Sequence, residues 1–295
     1  MTTPQTEALH DTAKGLDADA PVDIASVLVE GQIAAATAVR AATAQIAVAA
    51  AAMARSISNG GTLHYVAAGS SGLMAAADAQ ELGGTFSIPA TQLRIHMAGG
   101  LPTGVEMSGD TEDDVEGLEA ALAGVTNRDT LITVSASGTT PYTLAAARRG
   151  KAYGATIVAI ANNPGTPLLT VADHPVCLTT PPEVLSGSTR MGAGTAQKIA
   201  LNMLSTLMAV RLGHVHDGMM VNLRADNMKL RARALSIVCQ IARVEQSVAA
   251  AALDAAQNEV KPAILIAAKA VSQDRASEML RQTGGNLRAA LAQHA

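Results

Sequence analysis

Thr130-Leu131-Ile132-Thr133-Val134-Ser135-Ala136-Ser137-Gly138-Thr139-Thr140-Pro141-Tyr142 changes character twice within thirteen residues. It opens as an apolar, β-branched run, passes through hydroxyl side chains around one glycine, and reaches a proline suited to the first turn of a helix. The reading is strand, turn, helix. Such a turn aims backbone N–H groups and Ser/Thr hydroxyls at one point, at the positive end of the helix dipole, where an anion is held without a lysine. A phosphate fits that description. The same hydroxyls also suit a plain helix cap, and the stretch alone leaves both readings open.

The pattern recurs upstream. Leu63–Ala68 reads as a buried strand and Gly69-Ser70-Ser71-Gly72 as the turn into a helix over Leu73–Leu82, closed by Gly83-Gly84. Asp78 and Glu81 stand three apart on that helix and share a face. Leu93–Met97, Ala155–Asn162 and Pro175–Thr179 add further strands, with helical segments between them. Strands alternating with helices predict an α/β fold with a doubly wound, mostly parallel sheet flanked by helices, whose ligands lie beyond the carboxyl ends of the strands.

Three segments follow from the punctuation. Residues 1–58 form an N-terminal arm and a long Ala-rich helix, 59–225 the sheet-bearing core, and 226–295 a helical cap in at least three pieces. Pro262 opens one of those pieces and Gly284-Gly285 divides the last two. The acidic cluster Gly109-Asp110-Thr111-Glu112-Asp113-Asp114 leads into a helix over Val115–Ala123, where the helix dipole alone would favour carboxylates. His214 and His216 lie in a turn read as an exposed loop rather than a metal site.

Composition excludes several classes. Of 295 residues 48% are hydrophobic, yet there are one Phe, three Tyr and no Trp, so the core is aliphatic and stacking on bases is not expected. The net charge is −4, and the basic residues are dispersed, which argues against a nucleic-acid partner. Cys177 and Cys239 have no metal spacing and read as small core residues of a reducing compartment. No basic start precedes an apolar run, and the Ala-rich segments carry polar neighbours or are short. A cytoplasmic protein without membrane contact is expected.

The motifs together say more than any one alone. Ser135-Ala136-Ser137-Gly138-Thr139-Thr140-Pro141-Tyr142 resembles the phosphate loop of sugar isomerase (SIS) domains. Ser186-Gly187-Ser188-Thr189-Arg190-Met191-Gly192-Ala193-Gly194-Thr195-Ala196-Gln197-Lys198 resembles the signature of one branch, the N-acetylmuramic acid 6-phosphate etherases, to which the glucokinase regulatory protein is related. Thr6-Glu7, Ala68–Gly72, Asp78–Glu81, Leu201–Thr206 and Met220–Leu230 also match that branch, so the resemblance runs through almost the whole chain.

The resemblance implies cleavage of a D-lactyl ether on a 6-phosphosugar, with Glu81 as the acid and Glu112 as the base. It places phosphate on Ser135, Ser137, Thr139 and Thr140, and the sugar against Gly69, Ser70, Ser71, Ser186 and Ser188. No cofactor or metal is implied, and the expected partner is a second copy in a homodimer. Four departures stand out: Thr139 and Leu73 occupy positions where the family usually has arginine, Gly192 one where it has lysine, and Gly83-Gly84 replaces Pro-Pro. Three cations are therefore missing. A phosphosugar-binding regulator and a sugar-phosphate isomerase remain as alternatives.

Overall fold

The computed structural model describes residues 4–107, 110–225 and 227–293. Gly109, at the head of the acidic cluster, and Asp226, at the expected start of the cap, lie outside them. The described chain divides into two compact units, Met1–Gln80 with Thr91–Ser205, and Glu81–Ala90 with Thr206–Ala295.

In the first unit five parallel strands, β1 (Leu63–Ala67), β2 (Leu93–Met97), β3 (Thr130–Val134), β4 (Thr156–Ala161) and β5 (His174–Cys177), are ordered β2-β1-β3-β4-β5. β1 and β3 are buried at every position. That is why they read as unbroken apolar runs rather than alternating ones. Ala67 pairs with Val134 at their carboxyl ends. The chain leaves β1 toward β2 on one side and returns to β3 on the other, so the strand order reverses between β1 and β3. A crevice opens at such a switch point. It falls at the ends of the two hydroxyl-bearing stretches.

The Ala-rich segment is two helices, α1 (Pro21–Ala38) and α2 (Thr43–Ser58), joined by a 3-10 turn over Val39–Ala42. Pro21–Ser58 is long and apolar enough to cross a membrane by length and composition. Yet α2 buries Ile46, Met53 and the alanines 49–52 and 54, packing on the sheet at β1, β3 and β5. Small side chains permit that close approach.

Two helix limits differ from expectation. α3 runs from Gly69 to Phe86, so Gly69–Gly72 is its first turn and Gly83-Gly84 lies inside it. Mid-helix glycine costs about 1 kcal/mol against alanine, which burial of Leu82 and Phe86 offsets. The stop comes at Ser87, in left-handed conformation at φ 52, with its N–H on the carbonyl of Gly83 and that of Ile88 on Leu82. The acidic cluster forms a 3-10 turn over Asp110–Asp113, and α4 spans only Leu118–Leu122 because Gly117 precedes it at φ 77. α5 (Pro141–Ala152), α6 (Pro167–Val171) and α7 (Gly192–Arg211) complete the βα pattern.

The second unit has its own core. β6 (Val215–His216) and β7 (Met219–Met220) form a hairpin, and α8 (Met228–Ala242), α9 (Gln246–Ala255), α10 (Val260–Lys269), α11 (Gln273–Gln282) and α12 (Leu287–Ala292) follow. Val221, Val238, Ile264, Leu265 and Met279 fill its interior. His214 and His216 do not sit in an exposed loop: His216 is buried, and His214 shares a hydrogen bond with the backbone of Phe86.

Candidate active site

The hydroxyl loop bonds to itself. Ser135 Oγ lies 2.8 Å from Thr140 Oγ1 and 3.3 Å from Ser137 Oγ. It also accepts the Gly138 N–H at 3.1 Å. Ser137 Oγ in turn accepts the N–H and the hydroxyl of Thr139. Thr140 occupies the cap position of α5, yet its side chain caps no N–H of the helix. The cap reading therefore fails at its central point: the hydroxyls are arranged around one another, and the first N–H groups of α5 are left without a side-chain acceptor. That arrangement suits an incoming anion.

Gly138 makes the loop possible. Its φ is +71, and a Cβ there would collide with the side chain of Thr166. No other residue fits both conditions.

The first loop meets the acidic cluster. Gly69 has φ +53, and a Cβ on it would lie 2.5 Å from Glu112 Oε1. The Glu112 carboxylate thus rests against the α-carbon that opens α3, at the carboxyl end of β1, next in the sheet to β3 and its hydroxyl loop. Ser70 is half-buried and Ser71 nearly buried on this first turn. Glu81 is exposed on the part of α3 that opens the second unit. Asp78, one turn before it, is 4% exposed. It accepts from Tyr65 Oη at 3.0 Å, Asn202 Nδ2 at 2.8 Å and Ser205 Oγ at 2.9 Å. Burial, and then Asp78, push the Tyr65 phenol well above its ordinary pKa, so it stays a donor. Asp78 is thus a buried hub that ties β1 to α3 and α7.

Two contacts absent from the sequence reading hold the loops in place. Asn163 donates to the carbonyl of Ala136 and to Thr6 Oγ1, and accepts the Thr6 N–H. Ser186 Oγ donates to the carbonyl of Glu7, while Gly187, at φ +74, has Glu7 Oε2 3.5 Å from where its Cβ would stand. The N-terminal arm therefore bonds the Ser186–Ser188 turn directly and reaches the hydroxyl loop through Asn163; Ser188 is half-buried. Glu183 is the second unread residue. Buried at 5% exposure, it accepts the N–H groups of Gly192 and Ala193 at 2.8 Å each, capping α7. A lysine at position 192, as in the resembled family, would begin with its Cβ 3.0 Å from Glu183 Oε2 and 3.1 Å from Ala35 Cβ.

Comparison with known proteins agrees with this geometry. The SIS domain family matches residues 32–162. An N-acetylmuramic acid 6-phosphate etherase of Deinococcus radiodurans is 42% identical over 99% of this chain and 96% of its own length. The chain belongs to the N-acetylmuramic acid 6-phosphate etherase family. Etherases of Streptomyces avermitilis (38% identical, 97% of this chain, 93% of theirs) and Pseudoalteromonas atlantica (41%, 88% and 85%) are further relatives. Among solved structures, a Bacteroides fragilis protein described as a phosphosugar isomerase involved in capsule formation superposes with TM-score 0.53 at 19% identity, over 68% of this chain and 95% of its own. An Escherichia coli protein solved as a ligand complex gives 0.51 at 15%, over 68% and 97%. At that identity they establish the fold, a parallel SIS-type sheet, which is the fold the etherase family uses here.

Proposed function

We propose that the chain is a cofactor-independent carbon–oxygen lyase. It cleaves the D-lactyl ether of N-acetylmuramic acid 6-phosphate to N-acetylglucosamine 6-phosphate and D-lactate in cell-wall amino-sugar recycling. Family membership supports the reaction. The observation that carries its assignment to residues is the Glu112 carboxylate resting on Gly69, beside a hydroxyl loop free to take the phosphate.

The chemistry needs two carboxyl groups. In the open-chain aldehyde the C2 proton lies α to the carbonyl, so Glu112 as carboxylate removes it. The electron pair forms the C2–C3 double bond as the C3–O bond breaks, and Glu81 gives a proton to the departing lactate oxygen. Water then adds at C3, and a proton returns to C2. Ser135, Ser137, Thr139 and Thr140 hold the 6-phosphate with the N-terminus of α5; Gly69, Ser70, Ser71, Ser186 and Ser188 line the sugar.

Hydroxyls and backbone N–H groups then do what arginine does in relatives at position 139. The working form is a cytoplasmic homodimer: α1 and α2 present Val22, Val29, Ile33 and Val48 outward, an apolar face of the kind a second copy covers. Incubation with N-acetylmuramic acid 6-phosphate should release stoichiometric D-lactate. Glu81→Ala and Glu112→Ala should each remove that release. Binding without turnover by the unaltered chain would overturn the assignment in favour of a phosphosugar-binding regulator.

A further inference from the structure

The second unit contains a cavity of about 680 Å³ that none of the residues assigned above lines. Its volume lies within the range of small-molecule sites, roughly 300–1,000 Å³. Its walls come from distant parts of the sequence: Ser87 after α3, the strand-following segment Asn222–Ala225, the turn Gln257–Asn258 with the start of α10, and Leu280 and Gly285 around the end of α11. Ser87 Oγ donates to the carbonyl of Asn222, and Asn222 Nδ2 donates to that of Phe86. These bonds fix one wall. Ser87, Gln257 and Asn258 are all non-glycine residues in left-handed conformation, at φ 52, 52 and 64, so the chain accepts strain at three points of one lining.

Two cations face this space. Lys261 is only 6% exposed, an unusual place for a lysine. Its Nζ donates to the carbonyl of Gly285 at 2.8 Å, and that neutral acceptor leaves the charge uncompensated. Arg224 is exposed at the rim. Among the described residues neither cation forms an ion pair. Glu259 is the carboxylate of the lining. The amide and hydroxyl groups of Ser87, Asn222 and Gln257 suit a molecule bearing several hydroxyls, and among the described residues no aromatic ring lines the cavity to stack on a flat one.

We propose that this cavity binds a small hydroxylated anion, a hydroxy acid or a sugar phosphate, with its negative group on Lys261 and Arg224 and its hydroxyls on Glu259 and the neighbouring amides. The uncompensated lysine is the strongest sign. Desolvation lowers its pKa to about 8, and an anion against Nζ supplies the missing counter-charge.

Methyl-labelled NMR of the full chain tests this site directly, because Leu223, Val260 and Leu280 line the cavity and report on it alone. The chain is titrated separately with D-lactate, inorganic phosphate and glucose 6-phosphate. At least one should shift these three methyl groups saturably. Response to lactate identifies a hydroxy acid, and response to glucose 6-phosphate a sugar phosphate. Arg224→Ala, an exposed change that leaves the fold intact, should weaken that binding about tenfold, as loss of a charge-assisted contact does. Lys261→Gln should weaken it at least as much. The proposal is overturned if none of the three compounds moves these methyl groups, or if Arg224→Ala leaves the affinity unchanged.

Discussion

Glu112 and Asp78 are both carboxylates of the first unit, but their surroundings differ. Glu112 is half-buried, with one carboxylate oxygen against the backbone of Gly69, and the proposed function makes it the base. Asp78 spends its oxygens on Tyr65, Asn202 and Ser205. Glu112→Gln should therefore lower kcat by about 10²–10⁴-fold with little change in stability, the range of a lost general base. Asp78→Ala should instead destabilise the protein by about 3 kcal/mol, since it orphans several buried donors. Urea denaturation read beside D-lactate release separates the two. Ser135→Ala removes the hydroxyl at the centre of the loop and should raise KM about tenfold with a smaller effect on kcat, as loss of a charge-assisted phosphate contact does.

At the scale of elements, the turns are what the site depends on. Gly69→Ala forces a side chain into φ +53 and onto Glu112. It should cost about 1 kcal/mol of stability and, by displacing the base, much more activity than stability. Equal losses in both would contradict the placement of Glu112. Glu183→Ala uncaps α7 and should lower stability by about 1–2 kcal/mol in a thermal melt.

The strands were legible in the sequence because each is a short segment between breakers, β-branched throughout much of β3 and β4, and the hydroxyl loop because strand, glycine and proline fall in order. The helix α3 was legible but its C-terminal limit was not, since tertiary burial of Leu82 and Phe86 overrides two glycines that read locally as a stop. The contact between Glu112 and Gly69 was not legible. A carboxylate in an acidic turn carries no local sign that it will meet Gly69. The Thr6–Asn163 pair spans 157 residues, and nothing short-range announces it.

For the molecule as a whole, two part-buried histidines, His96 and His214, contribute to the response to acid. His64 and His96 stack with ring centroids 5.2 Å apart. Burial, and then the charge of His64, lower His96 from 6.5 to about 4. Burial, and then Lys261, lower His214 to about 4 in the second unit. Between those values the unfolded chain binds more protons than the folded one. The stability these histidines contribute is complete above pH 6.5 and is lost as pH falls from there to about 4, by a few kcal/mol on the order of one per shifted unit. Urea unfolding at pH 7 and at about pH 4.5 should show that loss in both units. A flat profile would contradict the desolvated, neutral state of these rings.

The proposed reaction is an elimination followed by hydration. Turnover of N-acetylmuramic acid 6-phosphate in ¹⁸O-labelled water tests that most directly. The isotope should appear at C3 of N-acetylglucosamine 6-phosphate while the D-lactate hydroxyl remains unlabelled, because the bond broken is C3–O. Label in the lactate hydroxyl, or a ketose phosphate with no lactate at all, would contradict it.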